Sequence, residues 1–253
     1  MPATPAWPPS SLPRLFVDEA LREGSVLTLA DAPANYLANV LRLQPGAQVK
    51  LFDDRSGEWL AQVTDVAKKR LTLAVTRKLR EREPVPDVWL LFAPIKKGPI
   101  DWLVEKATEL GAARLVPVVT QRTNVERLKL DRLRAHTVEA AEQCERTALP
   151  ELAEPVKLAA LLRDWPAERA LFFADETGGE PFAAAAAAHA GPAAILIGPE
   201  GGFTPDEAAA IRAFPQARGV SLGPRILRAE TAAAAALAVW MAAAGDWRQP
   251  VAR

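Results

Sequence analysis

The sequence predicts a two-part α/β chain, a small strand-rich domain followed by a parallel α/β sheet. Three observations predict it. The first eighty or so residues carry short runs of Val, Leu, Thr and aromatics separated by turn signals. From Val88 onward, apolar runs of strand length alternate with segments of helical period. Between the two lies REREPVP (Arg80–Pro86), charged and holding two prolines that halt a strand ladder.

In the first part the strand-like runs are RLFV (Arg14–Val17), SVLTL (Ser25–Leu29), QVKLF (Gln48–Phe52), EWLAQVTDV (Glu58–Val66) and LTLAVTRKL (Leu71–Leu79). Pro45-Gly46, Asp53-Asp54, Ser56-Gly57 and Lys68-Lys69-Arg70 punctuate them, and one short helix is expected over Pro33–Leu41. Short strands at such close spacing suggest a small β-barrel. The Pro- and Ser-rich residues ahead of Pro13 read as an unstructured lead-in without an export signal. The domain division is therefore residues 1–12 as lead-in, 13–80 as barrel, 81–87 as linker and 88–248 as the α/β domain.

In the second part VWLLFA (Val88–Ala93) is a buried strand. PIDWLVEKATEL follows as a helix, with Ile100, Leu103, Val104, Ala107 and Leu110 on one face and Gly111 at its end. RLVPVV (Arg114–Val119) is a strand, and a long helix is expected from Asp131 to about Ala148. ALFFA (Ala170–Ala174) and AAILIG (Ala193–Gly198) are strands flanking an Ala-rich helix, Phe182–Ala190. TPDEAAAIRAF opens with Thr204, has Pro205 at the first helical position and Glu207 three residues after Thr204, a capping box. GVSL (Gly219–Leu222) is a short strand, and Thr231–Ala244 a last Ala-rich helix. The alanines need no special role, since Ala is the best helix former.

Composition narrows the function. The chain has 253 residues, 31 Lys+Arg against 31 Asp+Glu, 49% hydrophobic and 25% charged residues, values of a globular protein rather than a disordered one. No apolar run reaches membrane-spanning length, so a soluble, cytoplasmic protein is expected. Cys144 alone forms no internal disulfide, and with only His136 and His189 besides no metal site is expected. Zero net charge hides a local asymmetry, because residues 96–134 carry nine basic and five acidic side chains while 135–190 carry four and ten. Binding responds to such local fields.

In open α/β sheets ligands bind beyond the carboxyl ends of strands. Two Gly-bearing turns follow strands here, ILIGPEGGFT (Ile195–Thr204) and SLGPRILRAETA (Ser221–Ala232), and each runs into a helix. Neither fits GxGxxG or GxxxxGK[ST], which argues against a Rossmann site or a nucleotide P-loop. Neither His sits in a motif with Ser or Cys, so nucleophilic catalysis finds little support. Asp101, Glu105 and Glu109 recur every four residues, as on one solvated or ion-paired helix face.

GPEGGFTPDE followed by LGPRILRAETA resembles the paired C-terminal motifs of the SPOUT superfamily of RNA methyltransferases, and more closely the bacterial 16S rRNA (uracil(1498)-N(3))-methyltransferase family. KKGPIDWLVEKATELG (Lys96–Gly111), EAAEQCER (Glu139–Arg146) followed by Pro150, PRLFV and YLANVLRL (Tyr36–Leu43) extend the resemblance from about Pro13 to Gly245. Members of that family often carry a His pair where this chain has Asn35-Tyr36. They also often have a short Gly turn where it has Asp53-Asp54-Arg55-Ser56-Gly57.

The resemblance implies a PUA-like RNA-binding β-barrel ahead of a SPOUT-type trefoil-knotted parallel-sheet domain. It also implies S-adenosyl-L-methionine as cofactor, a homodimer, and 16S rRNA of the small ribosomal subunit as partner, with neither metal nor membrane involved. The activity would be N3-methylation of a specific uridine; the alternatives are another RNA target (23S rRNA or tRNA) or a non-catalytic assembly factor. Carried over by position, the cofactor residues are Ile197, Gly198, Pro199, Glu200, Gly201, Gly202, Leu222, Gly223, Ile226, Leu227, Arg228 and Thr231, with a contribution near Asp175-Glu176. A uracil imide nitrogen is a poor nucleophile until it loses its proton, so a base and an anion-stabilising group are needed. Arg228 is the candidate for the second or for an RNA-phosphate contact, Glu230 and Glu200 for the first. Arg14, Arg42, Lys96, Lys97 and Arg122 are the candidate RNA-phosphate contacts, with Lys68-Lys69-Arg70, Arg127 and Lys129 further cations of the same kind.

Overall fold

The computed structural model describes residues 12–124 and 128–249. Most of the expected lead-in, and Arg127, lie outside them. Contacts divide the chain into two compact units: one holds the chain up to Pro84 together with Ala141–Ala148, the other Val85–Ala140 and Leu149 onward. A linear reading does not foresee the return of Ala141–Ala148 to the first unit.

The first unit is a mixed five-stranded sheet of β1 (Arg14–Phe16), β2 (Val26–Ala30), β3 (Gln48–Phe52), β4 (Glu58–Ala67) and β5 (Arg70–Arg80), in the order β1-β3-β4-β5-β2. Period-2 burial runs along it: Leu27 and Leu29 on β2, and Leu71, Leu73 and Val75 on β5, face one apolar core. Three register shifts between β4 and β5 bend the ladder. The expected helix over Pro33–Leu41 is instead helix α1 (Asp31–Asn35) continued as a π-helical turn, Tyr36–Val40. Leu37, fully buried within that turn, ties it to the core.

The second unit is a wholly parallel sheet. Its strands are β6 (Val88–Phe92), β7 (Arg114–Val119), β8 (Glu151–Leu152), β9 (Val156–Lys157), β10 (Ala170–Ala174), β11 (Glu180–Pro181), β12 (Ala193–Ile197) and β13 (Ala217–Ser221). The order is β11-β13-β10-β12-β6-β7-β8, with β9 also on β7. Its helices are α2 (Pro99–Glu109), α3 (Leu130–Gln143), α4 (Leu158–Arg163), α5 (Phe182–Ala187), α6 (Pro205–Arg212) and α7 (Ala229–Ala243). Strand residues alternate between two cores: Leu90, Phe92, Phe172 and Ile195 face α2, α5 and α7, while Leu91, Phe173 and Leu196 face α4 and α6. Both faces are therefore covered, as a parallel sheet requires.

Three helix ends differ from the sequence reading. The helix expected to reach Ala148 stops at Gln143, because Glu145 takes a left-handed φ of 63°. The helix expected to reach Ala190 stops at Ala187, and α7 begins at Ala229, two residues early. The strands β8, β9 and β11 are two residues each, too short to carry a readable period. After β13, α7 returns across the sheet to pack on α2 and α5 and against β12 and β6.

Candidate functional site

Because every strand of the second sheet is parallel, all its C-terminal loops emerge at one edge. The order β13-β10-β12-β6-β7 sets five of them side by side. They are Leu222–Arg228 after β13, Asp175–Gly179 after β10, Gly198–Thr204 after β12, Ala93–Gly98 after β6, and the stretch from Thr120 after β7. Neighbouring strands lie about 4.8 Å apart, so β12 and β13, with β10 between them, run about 10 Å from each other where their loops begin.

The β12 loop is built from its own backbone. Ile197 and Pro199 are buried, Gly198 and Gly202 half-buried, and Glu200 and Gly201 exposed. Gly202 N–H donates to Pro199 O at 2.8 Å, closing a tight turn, and Gly202 takes φ +67° with the Glu176 carboxylate 3.1 Å from where a Cβ would sit. Thr204 then caps α6 by the predicted box: Glu207 N–H donates to Thr204 Oγ1 at 3.3 Å and Thr204 N–H to Glu207 Oε2 at 3.0 Å.

In the β13 loop, Leu222 and Leu227 pack on the core beneath, while Gly223, Arg225, Ile226 and Arg228 are exposed, Ile226 by 88%. Arg228 is the N-cap residue of α7, with half-buried Glu230 in the first turn and Thr231 exposed behind it. Among the described residues Arg228 has no ion-pair partner. Between the two loops Asp175 is held by Arg212 at 2.8 and 3.0 Å and by the Thr177 hydroxyl at 2.7 Å. Burial pushes its carboxyl up, but the Thr177 hydrogen bonds and Arg212 outweigh it and hold it below the ordinary aspartate value.

This edge fits an adenosine-bearing, zwitterionic group. Gly223, at φ +107°, has open space where a Cβ would point, and Gly201 is exposed in the Pro199–Gly202 turn. Backbone amides and carbonyls approachable at such turns suit an adenine edge and an amino-acid tail. Among the described residues no group of His, Cys, Asp and Glu could hold a metal ion, and no helix is long and apolar enough to cross a membrane.

Two of the expected phosphate contacts have other partners. Arg14 is 9% exposed: its Nε donates to Glu58 at 2.5 Å, its other nitrogens donate to Ala141 O and Arg146 O, and it stacks on Phe52. A guanidinium with these bonds already made is not available to phosphate, which corrects that expectation. Arg122 is exposed, yet its Nη1 donates to Gly201 O at 2.6 Å, so it serves the β12 loop. Lys96 and Lys97 are exposed on the β6 loop at the same edge, and Arg42 is exposed in the first unit. Sequence reasoning missed Gln121, whose N–H donates to Glu207 Oε1 at 2.7 Å. The capping box was the available signal for Glu207, but it gives no hint of a second loop. Asp101 and Glu109 are ion-paired, to Arg132 and to Lys106, while Glu105 lies 2.9 Å from the His136 ring.

An RNA methyltransferase domain family model matches residues 81–241, and an RNA methyltransferase PUA domain model matches residues 29–76. The chain belongs to the RNA methyltransferase family of the ribosomal RNA small subunit methyltransferase E type. The relative of that name from Rickettsia conorii is 30% identical over 89% of this chain and 93% of its own length. The Synechocystis one is 36% identical over 85% and 72%. Among solved structures, ribosomal RNA small subunit methyltransferase E from Neisseria gonorrhoeae, bound to S-adenosyl methionine, superposes with a TM-score of 0.81 at 27% identity, covering 91% of this chain and 97% of that one. A Legionella pneumophila structure with SAM as bound cofactor gives 0.81 at 29% identity, over 93% and 99%. Methyltransferase E proteins thus share both parts of this chain, the PUA domain and the SPOUT-type parallel sheet.

Proposed function

We propose that the protein methylates N3 of a specific uridine in 16S rRNA, using S-adenosyl-L-methionine at the β12–β13 loop edge. The observation that carries this reading is the alignment of the Gly198–Gly202 and Leu222–Arg228 turns on either side of the Asp175 loop, in a chain matching both domains of the family. When bound, the cofactor supplies an electrophilic methyl on a sulfonium. Ile197–Gly202, Leu222, Gly223, Ile226, Leu227, Arg228 and Thr231 are the residues that would hold it.

What remains for the chain is to prepare the imide nitrogen. Its proton must leave before the nitrogen can attack, and Glu230 or Glu200 is the carboxylate to take it. Negative charge then spreads to the two flanking carbonyl oxygens. Arg228, exposed and without an ion-pair partner among the described residues, is suited to hold that charge. The target base must first leave its stack. Lys96, Lys97 and Arg42 are candidates for phosphate contacts that position the strand. We further propose a homodimer, as the family resemblance implies.

The test is nucleoside mass spectrometry after incubating the protein with S-adenosylmethionine and small ribosomal subunits that lack the modification. The expected product is 3-methyluridine, formed at a rate that rises with pH until the base is ionised. Arg228→Ala should slow transfer about a hundredfold while changing cofactor affinity far less, because its partner is charge that develops during reaction. A ribose 2′-O-methyl product would overturn the N3 assignment, and cofactor binding without transfer would overturn the enzyme.

A further inference from the structure

We infer that Arg122 and Glu207 act together as a latch that positions the cofactor turn, with Arg122 working through backbone rather than on RNA. The inference rests on the cofactor reading above. Two ties run from the β7 loop, one to the β12 loop and one to the first turn of α6. Arg122 Nη1 donates to Gly201 O at 2.6 Å, at the apex of the Pro199–Gly202 turn, and its Cδ lies 3.6 Å from where a Gly201 Cβ would be. Gln121 N–H donates to Glu207 Oε1 at 2.7 Å.

Glu207 is 8% exposed, and both of its oxygens are engaged. Oε1 takes the Gln121 amide, while Oε2 takes the Thr204 amide at 3.0 Å and lies 3.2 Å from the Thr204 hydroxyl. A helix cap needs only the second set of bonds. The first couples the base of the turn to a neighbouring loop, while Arg122 fixes its apex. A turn held at base and apex keeps its remaining backbone groups in one geometry, so a ligand that binds there has less loop freedom to quench. Arg122 and Glu207 are positioning residues, since neither needs to touch the cofactor.

The first experiment needs no ligand. In Arg122→Ala, hydrogen exchange of the Gly202 amide, which donates to Pro199 O across the turn, should accelerate at least tenfold while the strands of the sheet keep wild-type protection. Unchanged exchange there overturns the latch whether or not the protein binds a cofactor. The second is calorimetry with S-adenosylhomocysteine. Arg122→Ala should raise Kd about tenfold, and Arg122→Lys should restore part of the loss, since an ammonium still donates to Gly201 O. Thr204→Ala and Glu207→Ala both damage the α6 cap, but only the latter also frees Gln121. Glu207→Ala should therefore weaken binding several-fold more than Thr204→Ala after both are matched for thermal stability. Equal weakening of the matched pair overturns the role of Glu207. Wild-type Kd in Arg122→Ala with lost RNA binding would return Arg122 to phosphate contact. Absent binding by the wild type would overturn the cofactor reading itself, leaving the exchange experiment to judge the latch.

Discussion

Two carboxylates in the first unit show how one residue organises its surroundings. Asp53 is 2% exposed and accepts from Leu21 N at 2.7 Å, Ser56 N at 2.7 Å, Arg55 N at 3.0 Å and Ser56 Oγ at 2.8 Å. A carboxylate-centred turn thus stands where the family often has a short Gly turn. Glu58, 3% exposed, lies between Arg14 and Arg80. Burial pushes both carboxyls up, yet the backbone amides around Asp53, and Arg80 and Arg14 around Glu58, hold both below their ordinary values. A depressed folded value means stability that is present above the unfolded value of about 4 and lost as pH falls through the folded one. Stability should therefore drop in acid, below about pH 4, in a denaturant titration. Glu58→Ala should cost about 3–5 kcal/mol at neutral pH, because it leaves Arg14 buried without its charge partner. Its acid dependence should also be shallower than wild type, and an unchanged acid slope would count against this account of Glu58.

Helices α5 and α7 belong to the next scale. Their alanines read as good helix formers, and the fold adds that they also face a core. Ala229, Ala232, Ala233 and Ala236 on α7 and Ala185 and Ala186 on α5 are buried, and the two helices pack on each other. Small faces permit close approach but leave few large side chains to fill the layer. Trp240, 4% exposed, supplies much of that volume, lying 5.6 Å from Phe172, 6.5 Å from Phe182 and 5.9 Å from His189, centroid to centroid. Trp240→Ala should cost about 3–5 kcal/mol in equilibrium unfolding. Alanine neighbours cannot collapse far into the cavity, so a loss under 1 kcal/mol would contradict this packing. Helix ends were less legible than helix faces, because Glu145 and the π-turn at Tyr36–Val40 answer to contacts that no local pattern records.

For the whole molecule, the return of Ala141–Ala148 to the first unit is held by named bonds. Arg14 donates to Ala141 O and Arg146 O, Phe16 N–H to Glu142 at 2.9 Å, Arg80 to Glu145 O, and Thr147 N–H to Glu83 at 2.7 Å. The PRLFV and EAAEQCER segments, which carry the family resemblance, therefore meet in space although Arg14 and Ala141 are 127 residues apart. Assembly is the other property at this scale. Trp102 and Trp247 are exposed by 41% and 55%, on α2 and just beyond α7, helices that pack together. The proposed homodimer should give a light-scattering mass near twice 27.3 kDa without RNA. Trp102→Glu should shift it toward the monomer, and a wild-type monomer at micromolar concentration would overturn the dimer.

Order and type of the main elements, the capping box at Thr204, and the two glycine turns followed from the sequence alone. Each is a local pattern, set by side-chain period, turn chemistry or a three-residue spacing. Only the tertiary structure set the loops around Asp175, Gly198 and Gly223 at one edge, because strand order is decided by which buried faces pack together. It likewise decided that Arg14 is buried against Glu58 and that Arg122 grips Gly201. A cationic side chain looks the same in sequence whether it meets solvent, phosphate or a carbonyl 79 residues away. Its partner is chosen by topology, through loops whose closure entropy grows only slowly with length, and so leaves little trace in the neighbouring residues.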